Sequence, residues 1–194
     1  MILLANYWNY FRDELKARLE AVENSCLIKA WKTEGERTAF YTSLILPQIA
    51  NKFGLEIKTE LFKVDCALCA RSTSGHLIPL IFVESENKAW SASHEMHKLC
   101  SLSAPLKVLI SCVEWCEEPG YWRSGGARTK LLEEWKAIIR AHNEVWPSPC
   151  FYGIIIGELK RKREGNLFRF YKVGIGANGN ELDPESVLVE RFIA

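Results

Sequence analysis

The sequence predicts an α/β fold, a central mixed β-sheet flanked by helices. Three observations predict it. Residues 64–86 hold two apolar-rich runs separated by a Ser/Thr/Gly-rich turn, the pattern of a β-hairpin. A helix-spaced segment and a short, nearly continuous apolar run follow, the order of a strand–helix–strand crossover. Amphipathic helical stripes stand before and after this unit.

Taken in order, Tyr7 to Val22 has the spacing of an amphipathic helix. Thr33 opens a second helix that reaches Phe53, with Glu36 at the capping-box position, and Gly54 stops it. Leu55 to Phe62 reads as a first strand, Val64 to Ala70 as a second and Leu77 to Glu86 as a third, with Arg71 to His76 as the turn between the last two. Trp90 to Leu102 is helical, with Met96, Leu99 and Cys100 on one stripe. Leu106 to Cys112 is a buried strand. Lys130 to Trp146 is a further helix that carries Leu131, Leu132, Trp135, Ile138 and Ile139 at helical spacing. Phe151 to Leu159 and Leu167 to Val173 are two more strands, joined by a basic segment. No linker, repeat or low-complexity tract interrupts the chain, so residues 1–194 are expected to form a single domain with its core over about 33–112.

At 194 residues and 48% hydrophobic content the chain can bury a full core. No long uncharged apolar stretch is present, which argues against a membrane partner. Met1 to Asn9 lacks a basic leader region and soon meets Arg12 and Asp13, unlike a signal peptide. Seven scattered cysteines in such a chain suggest reduced thiols and a cytoplasmic location. A net charge of +1 gives no argument for a nucleic-acid partner, and none against one.

The chemistry-bearing residues are Asp65, Glu84 and Glu86, with Lys88 next in step. A turn centred on Ser74 and Gly75 sets Asp65 opposite Glu84, and residues directly opposed in an antiparallel pair share a face. Glu84, Glu86 and Lys88 share a face because side chains alternate along a strand. Clustered carboxylates repel and raise one another's pKa, and a divalent cation is the commonest compensation.

An Asp on one strand followed by Glu-x-Glu or Glu-x-Lys at the end of the next resembles the PD-(D/E)XK nuclease superfamily. Val64 stands where that family usually has Pro. Glu84-Ser85-Glu86 matches the Glu-x-Glu variant, and Glu86-Asn87-Lys88 matches the standard element one dyad later. The first register is favoured because it pairs Asp65 with Glu84. The order of helix, three strands, helix and strand over residues 33–112 matches the family core.

The resemblance implies a restriction-endonuclease-like fold and hydrolysis of DNA phosphodiester bonds. It implies Mg²⁺ or Mn²⁺ held by Asp65, Glu84 and Glu86, with Glu36 from the preceding helix completing the site. The ion would activate water, Glu86 would orient or deprotonate that water, and Lys88 would stabilise developing charge. Candidate phosphate contacts are Arg123, Arg128 and Lys130 in a Gly-containing loop, and Lys160, Arg161, Lys162 and Arg163 at a hairpin tip. Each basic segment also reads as an ordinary solvated turn. The resemblance leaves room for a homodimer. Two alternatives stand beside it: a catalytically inactive protein on the same scaffold that binds nucleic acid or a protein, and an unrelated α/β protein whose acids face water.

Three other motifs weigh less. Cys66 and Cys69 have zinc-knuckle spacing, but on a strand residues three apart point to opposite faces. His94-Glu95-Met96-His97 falls one residue short of the zinc-protease helix, although Glu95 could lean toward the acids. Gly174-x-Gly176-x-x-Gly179 is followed by turn chemistry rather than a helix.

Overall fold

The computed structural model describes residues 4–114 and 127–194. Helix α1 (Leu4–Ala21) buries Trp8, Phe11, Leu15 and Leu19, one stripe of a 3.6-residue period. Helix α2 (Asn24–Ala30) follows. Helix α3 (Glu34–Ala39) is capped by Thr33, whose side-chain oxygen accepts from the Glu36 N–H at 3.2 Å. It runs through a π-helical stretch, Phe40–Ile45, into α4 (Leu46–Lys52). The helix expected over Thr33 to Phe53 is thus one helical run with a widened middle. There the Thr42 hydroxyl donates to the Thr38 carbonyl at 2.9 Å, and Pro47 has no N–H for the carbonyl four residues back.

Seven strands form one sheet in sequence order: β1 (Glu56–Leu61), β2 (Val64–Arg71), β3 (Leu77–Glu86), β4 (Leu106–Glu114), β5 (Phe151–Lys162), β6 (Gly165–Gly176) and β7 (Glu181–Ile193). β3, β4 and β5 run parallel, and antiparallel hairpins extend the sheet on both sides. The two parallel crossovers carry α5 (Ala92–Ser101, after a 3₁₀ turn at Ala89–Ser91) and α6 (Ala127–Val145). Their buried residues Met96, Leu99, Leu131 and Trp135 pack with Phe82, Leu109 and Ile154 on one face of the sheet. The opposite face, with Cys66, Val83, Val108 and Ile155, is covered by the helices of the first 52 residues. The chain is therefore an α/β protein with a mixed sheet between two helical layers, which accounts for the apolar run of the central strands. Helix α2 and strand β7 lie where the sequence suggested neither.

Glycine makes room for the α1 layer. Gly153 on β5 and Gly174 on β6 are paired neighbours, and a Cβ on either would fall 2.1 Å or 2.7 Å from the Trp8 indole. Trp8 Nε1 donates to Asp183 on β7 at 2.8 Å, and Arg12 pairs with the same carboxylate at 2.9 Å. Burial opposes ionisation of Asp183, yet the Lys172, Trp8 and Arg12 donors hold its pKa below the ordinary value.

Gly153→Ala is expected to destabilise the protein by about 1–3 kcal/mol through overpacking against Trp8. Gly35→Ala, at a helical position with nothing within 4 Å of the added methyl, is expected to stabilise by about 0.5–1 kcal/mol. Chemical denaturation of the two variants beside the wild type checks both signs.

Candidate acid–base site

The site lies on the α5/α6 face of the sheet, at the hairpin of β2 and β3. Cys66 opposes Val83, so the strands meet in the register that sets Asp65 beside Glu84. The turn itself is one residue out from the expectation: Arg71 opposes Leu77, and an irregularity between Leu68 and Cys69 restores the register further along. The Asp65 carboxylate accepts from the Ser85 N–H at 2.8 Å, which fixes it at the strand edge.

Glu84 is 2% exposed. Its nearest countercharge is Lys98 on α5, whose ammonium stands 2.5 Å from Glu84 Oε1 and also pairs with Glu95 one turn earlier. Lys98 further donates to the Lys63 carbonyl at 2.9 Å. Burial pushes the Glu84 carboxyl up to about 8, with Asp65 and Glu95 adding to the rise, against the downward pull of Lys98. Glu84 Oε1 and Glu95 Oε2 are both buried and share this one ammonium.

The turn that brings Lys63 to Lys98 is strained. Glu60, Phe62 and Lys63 have φ values of 56°, 55° and 62°, the left-handed region that non-glycine residues rarely occupy. Phe62 is 61% exposed and packs edge-on against Phe82, which precedes Glu84 by one dyad on the same face. Backbone strain, an exposed aromatic ring and a buried acid of raised pKa thus meet in one place.

The remaining residues singled out in the sequence go elsewhere. Glu86 Oε1 accepts from the Lys88 N–H at 2.7 Å and so closes its own turn. Lys88 is exposed and faces Glu34 at 3.6 Å. Glu36 reaches Lys29 at 3.3 Å. Among the described residues no three His, Cys, Asp or Glu side chains are grouped to hold a metal ion. Lys98 supplies a countercharge to both Glu84 and Glu95.

Arg128 is drawn into the fold. It pairs with buried Glu158 at 2.6 Å and with Glu185 at 2.5 Å, and lies 3.6 Å from the centre of the Tyr171 ring. Lys130 is exposed on the first turn of α6. Lys160 to Arg163 occupy the β5–β6 hairpin, where Lys162 lies over Phe192 at 5.9 Å. Arg123 lies outside the described residues.

Sequence reasoning missed Lys98. The signal was the Glu95–Lys98 spacing on the helix after the motif strand, which sets the two side chains side by side on the helix.

No protein-family model matches the sequence, and no curated protein matches it. A solved carbon-nitrogen hydrolase from Helicobacter pylori G27 is similar in structure, at 12% identity and a TM-score of 0.39, over 88% of this chain and 70% of that one. The resemblance to PD-(D/E)XK nucleases is corrected by these findings: no family model supports it, and this structural neighbour is named for a different reaction. With it goes the DNA-cleaving activity, while the α/β class with a seven-stranded mixed sheet stands. A likeness this weak carries no activity to the chain in their place.

The raised pKa of Glu84 has a stability consequence. Between its ordinary value of 4.5 and about 8 the folded state holds a proton that the unfolded chain has released. Its contribution is therefore most favourable below 4.5, is lost as pH rises through this window, and levels off above about 8. Glu84→Gln, which cannot ionise, should lack this loss. Its stability relative to wild type is expected to rise steadily over that window, as measured by denaturation in a pH series.

Proposed function

We propose that the protein is a hydrolase that works by general acid–base catalysis at Glu84, on an uncharged or cationic ester or amide. The observation that carries this reading is the seating of one buried carboxylate, poised near neutral pH, against a lysine ammonium and a second carboxylate. A base that exchanges its proton near the working pH is the most effective kind. Water is the nucleophile in this reading. Burial pushes the Cys66 and Cys112 thiols up to about 12 and raises Cys69 and Cys100, so these four are protonated at neutral pH and poorly nucleophilic.

The proposed step follows from the contacts. Substrate enters beside Asp65, Glu95 and Lys98, which are partly exposed while Glu84 is buried. Glu84 takes a proton from the attacking water as oxygen bonds to the carbonyl carbon. Once protonated it no longer draws Lys98 as an anion, and the ammonium is freed to face the oxyanion formed on the carbonyl. Glu84 then returns the proton to the leaving group. Asp65, Glu84 and Glu95 outnumber Lys98 three to one in charge when ionised, a balance that repels polyanions and favours neutral or cationic substrates.

The test is a pH–rate profile on a panel of aryl esters and anilides, neutral and cationic. The rate should rise with pH through an inflection near 8, where Glu84 becomes a base. Glu84→Gln should lower it by about 10²–10⁴-fold, and Lys98→Met by about 10²–10³-fold. Unchanged rates in Glu84→Gln, or no turnover across the panel, would overturn the reading.

A further inference from the structure

Helices α5 and α6 run side by side on the sheet, and each presents a histidine to the other. His97 Nδ1 lies 3.0 Å from His142 Nε2, and the rings, 5.3 Å apart at their centres, are tilted by 57°. His97 is exposed and His142 half-buried, so the facing nitrogens are within reach of solvent. Another contact between the helices is a hydrogen bond from Ser93 to Glu134, about one turn earlier on α5 and two turns earlier on α6. Neither histidine has a part in the acid–base site, although His97 precedes Lys98 directly in the chain.

We propose that His97 and His142 form a chelating site for a borderline divalent ion such as Zn²⁺ or Ni²⁺, which bridges α5 and α6. Two nitrogens that each sit about 2.0–2.1 Å from one ion at a tetrahedral angle lie about 3.3 Å apart. The observed 3.0 Å needs an adjustment of only a few tenths of an ångström. In the metal-free protein one ring donates its N–H to the lone pair of the other. Binding moves that proton to the far nitrogen of the same ring, so both facing nitrogens present lone pairs to the ion and the rings remain neutral. Water completes the coordination, because no third His, Cys, Asp or Glu is grouped with the pair among the described residues.

Imidazole selects the ion. Nitrogen donors suit Zn²⁺, Ni²⁺ and Cu²⁺, whereas Mg²⁺ and Ca²⁺ require oxygen. Burial, His97 and Lys107 together lower the His142 pKa, which leaves its imidazole neutral and available at neutral pH. Lys107 carries the nearby opposing charge; it is fully buried beneath the helices, against the Tyr152 ring. An ion held by both helices would couple them, and would act on the helix that carries Glu95 and Lys98.

Isothermal titration of the chelator-stripped full chain with Zn²⁺, Ni²⁺ and Mg²⁺ tests the site. Wild type should take up one equivalent of Zn²⁺ or Ni²⁺ that is lost in both His97→Ala and His142→Ala, and this equivalent should raise the melting temperature of the wild type alone. Co²⁺ in the same site should give the absorption of a nitrogen-ligated ion. His97→Gln, a polar change at an exposed position, replaces His97→Ala if that variant folds poorly. Binding unchanged in the histidine variants, no binding in wild type, or Mg²⁺ uptake lost with the histidines would each overturn the proposal. The hydrolase reading fails independently, through Glu84→Gln on the ester and anilide panel.

Discussion

A carboxylate removed from water must find a cation or keep its proton, and Glu84 does part of each. Lys98 stands against it at 2.5 Å, yet burial and neighbouring acids still hold its pKa near 8. The surrounding structure is arranged around this compromise. The strained turn before β2 delivers the Lys63 carbonyl to the same ammonium, and α5 delivers Glu95. A partly buried charge pair of this kind is weak evidence for stability, because desolvation offsets much of the attraction. It sits beside left-handed non-glycine backbone at Glu60, Phe62 and Lys63, so two costly features share one corner of the fold.

The sheet makes that arrangement possible. Its parallel centre puts α5 and α6 on the same face, so a side chain on the crossover helix can reach over β3 to the acids. The outer hairpins extend this centre. On the far side the Arg128, Glu158 and Glu185 group joins the start of α6 to β5 and β7, with the guanidinium over Tyr171. This buried acid is also matched by a cation, but a planar one stacked on a ring, suited to holding elements together.

Much of this was legible in the sequence. The bounds Leu77–Glu86 match β3, and the other strands expected before residue 174 fall within a few residues of those observed. Period-two alternation and Gly-containing turns carry that information locally. The pairing of Asp65 with Glu84 was legible too, although by way of a turn placed one residue off and a strand irregularity that offset it. Strand β7 was hidden because Asp183-Pro184-Glu185-Ser186 resembles turn chemistry and most of the strand is exposed. The countercharge of Glu84 was hidden for a different reason. The acids mark a charge problem along the strand, while the solution arrives from a helix whose rotation about its axis is set by tertiary packing. A motif read along the chain cannot distinguish a lysine from an ion in that role.

Trp8 has consequences for how the molecule assembles. Its indole lies in the gap left by Gly153 and Gly174 and bonds to Asp183, 175 positions away in the chain. Helix α1 precedes β5, β6 and β7 in the chain by well over a hundred residues, yet these strands build much of its docking surface. Part of its apolar stripe packs on the neighbouring helices, but the Trp8–Asp183 contact closes a loop of 175 positions. Contacts of such separation slow folding and prolong the exposure of sticky surface. Full docking of this helix therefore waits on the pairing of β5, β6 and β7.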